Sequence, residues 1–68
     1  MISIVIPLLN EELTIEVLYN RLKEASPLWE EAYELVFIDD GSSDSTLEKL
    51  QQLQNSDPSI TIVKLSRN

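Results

Sequence analysis

The sequence predicts a small α/β fold in which three parallel strands alternate with two helices, in the order βαβαβ. Three observations support this prediction. Three short runs are rich in β-branched residues, apolar residues recur at helical spacing in the two stretches between them, and proline, asparagine or glycine stands near the boundaries. Strands that are separated by helices of this length have to lie parallel, because a tight hairpin cannot join them.

The three predicted strands differ in how they end. Residues 2–6 form a β-branched run that closes at Pro7, and residues 33–38 form a second run that stops at two aspartates. Residues 60–65 alternate enough between apolar and polar side chains to predict a strand with one exposed face. We interpret each run as one strand of a single sheet.

The first predicted helix follows the first strand. It begins at Glu11 with Asn10 as its N-cap, and Pro27 stops it. Leu13 and Val17 are expected to widen its buried face. The buried stripe itself is predicted from helical spacing and consists of Ile15, Leu18, Leu22 and Ala25.

The second predicted helix follows a polar turn. Ser45 and Glu48 have the spacing of a capping box, and Asp44 is the competing cap. The helix ends before Pro58. Its buried stripe is predicted to consist of Leu47, Leu50 and Leu53.

The size of the chain restricts how such a fold is stabilised. Sixty-eight residues without Cys or His have neither disulfides nor the usual zinc ligands. Two crossovers of the same hand put both helices on one face of the sheet, whereas parallel sheets are normally covered on both faces. We therefore expect residues 1–68 to be an incomplete domain, or to form a homo-oligomer through the uncovered face or an edge strand.

The charge balance excludes one class of partner. Five Lys and Arg residues against twelve Asp and Glu residues give a net charge of −7. Nucleic-acid binding needs a basic surface, so we expect no nucleic-acid partner.

Polar segments follow all three predicted strands, at residues 7–11, 39–44 and 66–68. In open α/β sheets ligands bind beyond the carboxyl ends of the strands. The aspartates after the second strand leave two interpretations open: they accept hydrogen bonds from a ligand, or they form a turn that caps the next helix. Gly41 is the only glycine, which excludes the glycine-rich phosphate loops, and the spacing of an EF-hand calcium loop is absent.

These three segments, with the strands before them, resemble the start of a family 2 glycosyltransferase. The matching stretches read IVIPLLNE, LVFIDDGSSDST and VKLSRN, and together they extend over essentially the whole chain. The resemblance implies an inverting enzyme with a Rossmann-like GT-A fold, of which residues 1–68 are the N-terminal nucleotide-sugar-binding part. It is greatest to the polyprenyl-phosphate branch, which includes dolichyl-phosphate mannosyltransferases and bactoprenol glucosyltransferases.

The resemblance also implies roles for single residues. Asp40 would accept a hydrogen bond from the base and Glu11 would face the ribose, while Arg67 would approach the base or the phosphates. Position 9 is often aromatic in the family, so Leu9 would offer apolar contact in place of stacking. The residues that the resemblance assigns to the nucleotide site, as lining or as support, are Pro7, Leu9, Asn10, Glu11, Asp39, Asp40, Ser42 and Arg67.

Several expectations concern the full-length enzyme that the resemblance implies. Its donor would be a UDP- or GDP-sugar, and its acceptor a lipid phosphate or a glycan. Mg²⁺ or Mn²⁺ would bind through a D-x-D motif downstream of residue 68, so that residues 1–68 hold no metal or catalytic residue and are inactive alone. The protein is expected to be cytoplasmic, with the cytoplasmic face of the membrane as a site for the full-length form.

Two alternatives belong to other classes of protein. The paired Asp39 and Asp40 are superficially similar to the acidic site of a phospho-accepting receiver module, although in a receiver the paired acids follow the first strand and the acceptor follows the third. A self-associating α/β interaction module would instead use the uncovered face of the sheet.

Overall fold

The computed structural model describes residues 1–65 and confirms the predicted order of elements. Strand β1 covers Ile2–Leu8, helix α1 Ile15–Ala25, strand β2 Tyr33–Asp39, helix α2 Thr46–Ser56 and strand β3 Ile60–Lys64. A short 3₁₀ helix, Ser26–Trp29, follows α1. The three strands are parallel in the order β1-β2-β3, so β2 is central.

The alternation of side chains along the strands places the core on one face of the sheet. Leu35 and Phe37 of β2 are fully buried there, between Ile4 and Ile6 of β1 and the matching residues of β3. Ile15 of α1 and Leu50 of α2 belong to the same buried cluster, so both helices pack against this face. Burying a large aliphatic or aromatic side chain contributes about 1.5–3 kcal/mol, and this cluster is therefore the main source of stability.

The opposite face of the sheet is open in the part of the chain that the structure describes. Val5 of β1 is 57% exposed and Val63 of β3 is 37% exposed, while Val36 and Ile38 between them are half-buried. One polar contact crosses this face, from Ser3 Oγ to Glu34 Oε1 at 2.6 Å. Self-association through this face or an edge strand stays a prediction.

Pro7 lies inside β1 and does not end it. Ile2 N donates to Ala32 O at 2.8 Å, so even-numbered residues of β1 turn their amides toward β2 and odd-numbered residues turn theirs toward the free edge. A proline at an outward position removes no ladder hydrogen bond, which is why the strand continues to Leu8.

The predicted start of the first helix is wrong. Helix α1 begins four residues after Glu11, with Thr14 as its N-cap, and Asn10 has a left-handed backbone with φ of 53°. Of the two residues expected to widen the buried face, Leu13 is 89% exposed and Val17 is 53% exposed. The helix begins late because the N–H groups of residues 10–12 bond to side chains of residues 42–46, as described below. The backbone before α1 forms only a turn, in which Thr14 N and Ile15 N donate to Glu11 O.

The capping box predicted for the second helix is also wrong. Ser45 is the N-cap of α2, but its side chain makes no capping hydrogen bond. The competing cap forms instead, because Asp44 Oδ1 accepts a hydrogen bond from Thr46 N at 2.9 Å. The predicted stripe is confirmed, with Leu50 fully buried and Leu47 and Leu53 half-buried.

A polar cluster closes the amino end of the sheet. Its centre is the Asp57 carboxylate, 7% exposed, which accepts hydrogen bonds from Tyr19 Oη at 2.5 Å and from Ser59 Oγ and N at 2.6 and 3.0 Å. Lys23 Nζ lies 3.2 Å from Asp57 Oδ2 and donates to Tyr33 Oη at 2.6 Å. We call these five residues the amino-end cluster; they join α1, β2 and the turn before β3.

The amino-end cluster makes stability depend on Asp57 being ionised. Burial raises the pKa of the Asp57 carboxyl, but the hydrogen bonds from Ser59 and Tyr19 and the nearby Lys23 outweigh burial and hold the pKa well below its usual range. Because the folded pKa is depressed, this stabilisation is present above the unfolded pKa of about 3.9 and is lost as the pH falls through the folded pKa.

Candidate functional site

The loops after β1 and β2 meet at the carboxyl edge of the sheet. We define loop 1 as residues 9–14 and loop 2 as residues 40–45. Asp40 N donates to Leu8 O at 2.9 Å, which keeps β1 and β2 paired up to the start of both loops. The third predicted segment, with Arg67, lies outside the described residues. Seven of the eight predicted site residues can therefore be placed.

Asn10 binds loop 2 through both its backbone and its side chain. Its N–H donates to Ser42 Oγ at 2.9 Å, and its Oδ1 accepts a hydrogen bond from Ser43 N at 2.9 Å. Asparagine tolerates the left-handed backbone found here better than most residues do. Asn10 and Ser42, both predicted as site residues, are thus brought together by contacts between the loops.

The next two backbone N–H groups of loop 1 bond to one side chain of loop 2 and one at the start of α2. Glu11 N donates to Thr46 Oγ1 at 2.8 Å, and Glu12 N donates to Asp44 Oδ2 at 3.3 Å. Lys49 Nζ donates to Glu12 O at 2.7 Å. The backbone of loop 1 is therefore held by side chains from loop 2 and α2, together with a local turn in which Thr14 N and Ile15 N donate to Glu11 O at 3.0 and 2.9 Å.

The two adjacent aspartates have different environments, as expected for neighbours at the end of a strand. Asp39 is 1% exposed on the core face, and its Oδ1 accepts a hydrogen bond from Ser42 N at 3.1 Å. Gly41 has φ of 78°, a conformation that glycine adopts without steric cost and that allows the chain to turn back over Asp39. Asp40 is half-buried on the other face. Asp39 therefore supports loop 2.

The sequence leaves two interpretations open for the aspartates, hydrogen bonding to a ligand or a turn that caps α2. The structure shows the second of these for Asp39 and Asp44. Asp39 closes a turn onto Ser42, and Asp44 caps α2 through Thr46. The side-chain hydrogen bond from Thr46 lowers the pKa of Asp44, and its backbone contacts act in the same direction. Asp40 takes part in neither of these two contacts, and its role as an acceptor for the base stays a prediction.

Pro7, Leu9 and Glu11 lie along the β1 side of this edge. Leu9 is 42% exposed, so an apolar surface is available at the position where the family often has an aromatic residue. Pro7 and Glu11 line an open cleft of about 390 Å³ between the free edge of β1 and α1. Arg21 of α1 also lines this cleft. Sequence reasoning missed Arg21, because an arginine on an amphipathic helix is normally a solvated side chain.

The charge of the described edge favours one part of a ligand over another. Carboxylates of loop 1, loop 2 and the end of β2 accumulate here, at Glu11, Glu12, Asp39, Asp40 and Asp44. Carboxylates accept hydrogen bonds from ring N–H groups and hydroxyls and repel phosphates. Within residues 1–65 no three acidic side chains are placed to hold a metal ion, and no helix is long and apolar enough to cross a membrane.

Comparison with known proteins identifies the family. The sequence model described as Glycosyl transferase family 2 matches residues 3–68. The chain is 47% identical over 66 residues to the uncharacterized glycosyltransferase YkcC of Bacillus subtilis (strain 168), and the match covers 97% of this chain and 20% of that protein.

Two further relatives give the same result. The uncharacterized glycosyltransferase sll0501 of Synechocystis is 45% identical over 67 residues, 98% of this chain and 21% of that protein. The undecaprenyl-phosphate 4-deoxy-4-formamido-L-arabinose transferase of Yersinia pestis (strain Pestoides F) is 41% identical over 68 residues, with coverages of 98% and 21%. The chain thus spans about a fifth of the length of these curated relatives. With its βαβαβ fold and its family match, this chain belongs to glycosyl transferase family 2.

Proposed function

We propose that residues 1–68 form the nucleoside-binding part of the donor site in an enzyme that transfers a sugar from UDP or GDP to an acceptor. The observation that carries this proposal is a set of four hydrogen bonds that backbone N–H groups donate to side-chain oxygens. Three of them, from Asn10, Glu12 and Ser43, join loop 1 to loop 2, and the fourth, from Glu11, joins loop 1 to Thr46 of α2. They hold two carboxylate-bearing loops together at the edge where α/β sheets bind ligands. Such an edge suits the base and the ribose.

The diphosphate of the donor needs charge neutralisation that the described residues do not supply. Transfer expels a nucleoside diphosphate, and its developing charge requires a metal ion or several cations. We propose that Mg²⁺ or Mn²⁺, held by a D-x-D motif downstream of residue 68, and Arg67 provide this charge. On this proposal residues 1–68 alone bind a nucleotide weakly and transfer nothing.

We propose a lipid phosphate as the acceptor, at the cytoplasmic face of the membrane. The support is the name of one relative, an undecaprenyl-phosphate sugar transferase that is 41% identical to this chain. In the proposed inverting reaction, an acceptor phosphate oxygen bonds to the anomeric carbon from the face opposite the leaving group. The bond to the diphosphate breaks, and the nucleoside diphosphate leaves with the electron pair.

The receiver-like alternative has no observation in its favour. The Asp39 carboxylate, one of the two acids on which that hypothesis depended, is 1% exposed and is bonded to loop 2. The family match extends over residues 3–68 and leaves no separate signalling module in this chain.

A transfer assay on the intact protein tests the proposed function. The protein is incubated with undecaprenyl phosphate in detergent, Mg²⁺ or Mn²⁺, and a panel of radiolabelled UDP- and GDP-sugars. We expect label from at least one donor to move into the organic phase, with inverted configuration at the anomeric carbon. Undecaprenol, which lacks the phosphate, should accept none.

Two outcomes would contradict parts of the proposal. Failure of every UDP- and GDP-sugar, with glycans as well as lipid phosphates as acceptors, would contradict the donor class. Transfer to glycans with none to lipid phosphate would keep the donor site and refute the acceptor.

A further inference from the structure

We propose that Thr46 is a positioning residue for the donor site, because its hydroxyl, oriented by Asp44, holds the backbone of Glu11 and so places loop 1 for binding the nucleoside. This inference rests on the proposed function. It assigns a role to a residue that lies in the matching stretch LVFIDDGSSDST and for which the resemblance implies no role of its own.

The contacts of the Thr46 hydroxyl define its orientation. Thr46 is fully buried as the first residue of α2, and its Oγ1 lies 2.5 Å from Asp44 Oδ1 and 2.8 Å from Glu11 N. A hydroxyl has one proton to donate and two lone pairs to accept with. Because the hydroxyl donates its hydrogen bond to the Asp44 carboxylate, the lone pairs of Thr46 Oγ1 remain to accept a hydrogen bond from the Glu11 N–H.

Asp44 holds Thr46 from a second direction and reaches loop 1 directly. Its Oδ1 also accepts from Thr46 N at 2.9 Å, and its Oδ2 accepts from Glu12 N at 3.3 Å. The lowered pKa of Asp44 keeps this carboxylate ionised, and therefore an acceptor only, at neutral pH. The two side chains thus fix two consecutive N–H groups of loop 1.

The position of loop 1 is set by these contacts together with a local turn, in which Glu11 O accepts hydrogen bonds from Thr14 N at 3.0 Å and from Ile15 N at 2.9 Å. Asn10 has a positive φ, and α1 does not begin until Ile15, so the chain between β1 and α1 is irregular. Loop 1 also carries Leu9 and Glu11, which the family resemblance assigns to the nucleotide site. Loss of the Thr46 hydroxyl would free loop 1 and weaken nucleotide binding even though Thr46 touches no ligand, since part of the binding free energy would then be spent on ordering the loop.

Two substitutions separate the hydroxyl from the shape of the side chain. Thr46→Val keeps the shape and removes the hydroxyl, whereas Thr46→Ser keeps the hydroxyl and removes a methyl group. Calorimetric titration of the intact protein with UDP and with GDP should show binding weakened about tenfold in Thr46→Val, since a buried N–H is left unpaired. Thr46→Ser should stay within about twofold of the wild type, because its Glu11 contact is retained.

A second variant keeps the test decisive where Thr46→Val does not fold. Asp44→Asn retains one oxygen for the Thr46 hydroxyl but can place an amide group, a donor, against Glu12 N. It should weaken nucleotide binding in the same direction. Amide hydrogen exchange at Glu11 and Glu12 should become faster in each variant that binds more weakly.

Each other outcome overturns the proposal in a recognisable way. Binding by Thr46→Val within about twofold of the wild type refutes the positioning role. Equal weakening in Thr46→Val and Thr46→Ser assigns the effect to packing of the methyl group and refutes it as well. A wild-type protein that binds neither UDP nor GDP overturns the proposed function, and the positioning role with it.

Discussion

Asp57→Ala is expected to lower the free energy of unfolding by about 3 kcal/mol at pH 7. The substitution removes the acceptor for Tyr19 and Ser59 and the partner of Lys23 in the amino-end cluster. Breaking a buried ion pair by removing one partner costs about 3–5 kcal/mol. The side chain of Lys23 is 38% exposed and regains water, which places the expected loss at the lower end of that range.

The measurement is chemical denaturation of the intact protein, with Glu24→Ala as the matched control. Glu24 is an exposed acidic residue near the same end of α1 as Lys23, and its removal should change the stability by no more than about 0.5 kcal/mol. Nucleotide affinity should not change in either variant that remains folded, because the amino-end cluster and the loops lie at opposite ends of the sheet. Equal unfolding midpoints for Asp57→Ala and the wild type would contradict the role given to this cluster.

Asp40→Ala is expected to weaken the binding of UDP or GDP by about tenfold to a hundredfold. Asp40 follows β2 at the carboxyl edge, with its backbone fixed by the hydrogen bond to Leu8 O. A hydrogen bond to a charged group contributes about 1.5–3 kcal/mol, and each 1.4 kcal/mol corresponds to a factor of about ten in affinity. The expected loss is that of the hydrogen bond that we propose between the base and this carboxylate.

Titration calorimetry on the intact protein measures this effect directly. Glu24→Ala again serves as the control, since it removes one negative charge from an exposed position near the carboxyl end of α1, away from the loops. Unchanged affinity in Asp40→Ala would refute the assignment of Asp40. A similar loss in both variants would indicate a general charge effect and no specific contact.

The fold was predictable because each element has a strong local signal. The β-branched runs, the two apolar stripes and the order of elements are sufficient for a parallel βαβαβ sheet, and the structure confirms each of them. The misplaced features were ends of elements and the width of the buried face of α1, where Val17 is exposed. The sequence predicts that Pro7 closes β1, whereas the strand continues to Leu8. An edge strand tolerates proline where the proline nitrogen points away from the neighbouring strand, and that orientation follows only from the register.

The site was less predictable because its contacts join residues far apart in the sequence. Asn10 before an acidic helical pattern has the appearance of an N-cap, and nothing local shows that Ser42 and Ser43 compete for it. Thr46 likewise gives no local signal of its contact with Glu11, since threonine is an ordinary residue at the start of a helix. One signal was available, since an aspartate two residues before a threonine often bonds to the backbone at i+2, and that is the contact that Asp44 makes.

Hydrogen-exchange mass spectrometry on the intact protein, with and without UDP or GDP, tests most directly the claim that loops 1 and 2 form the nucleoside site. Binding should slow exchange in peptides that cover residues 9–14 and 40–46. Peptides that cover the amino-end cluster, around residues 23–33 and 56–60, should not change and serve as the internal control. Protection confined to other parts of the protein, with none in the two loops at saturating nucleotide, would contradict the account.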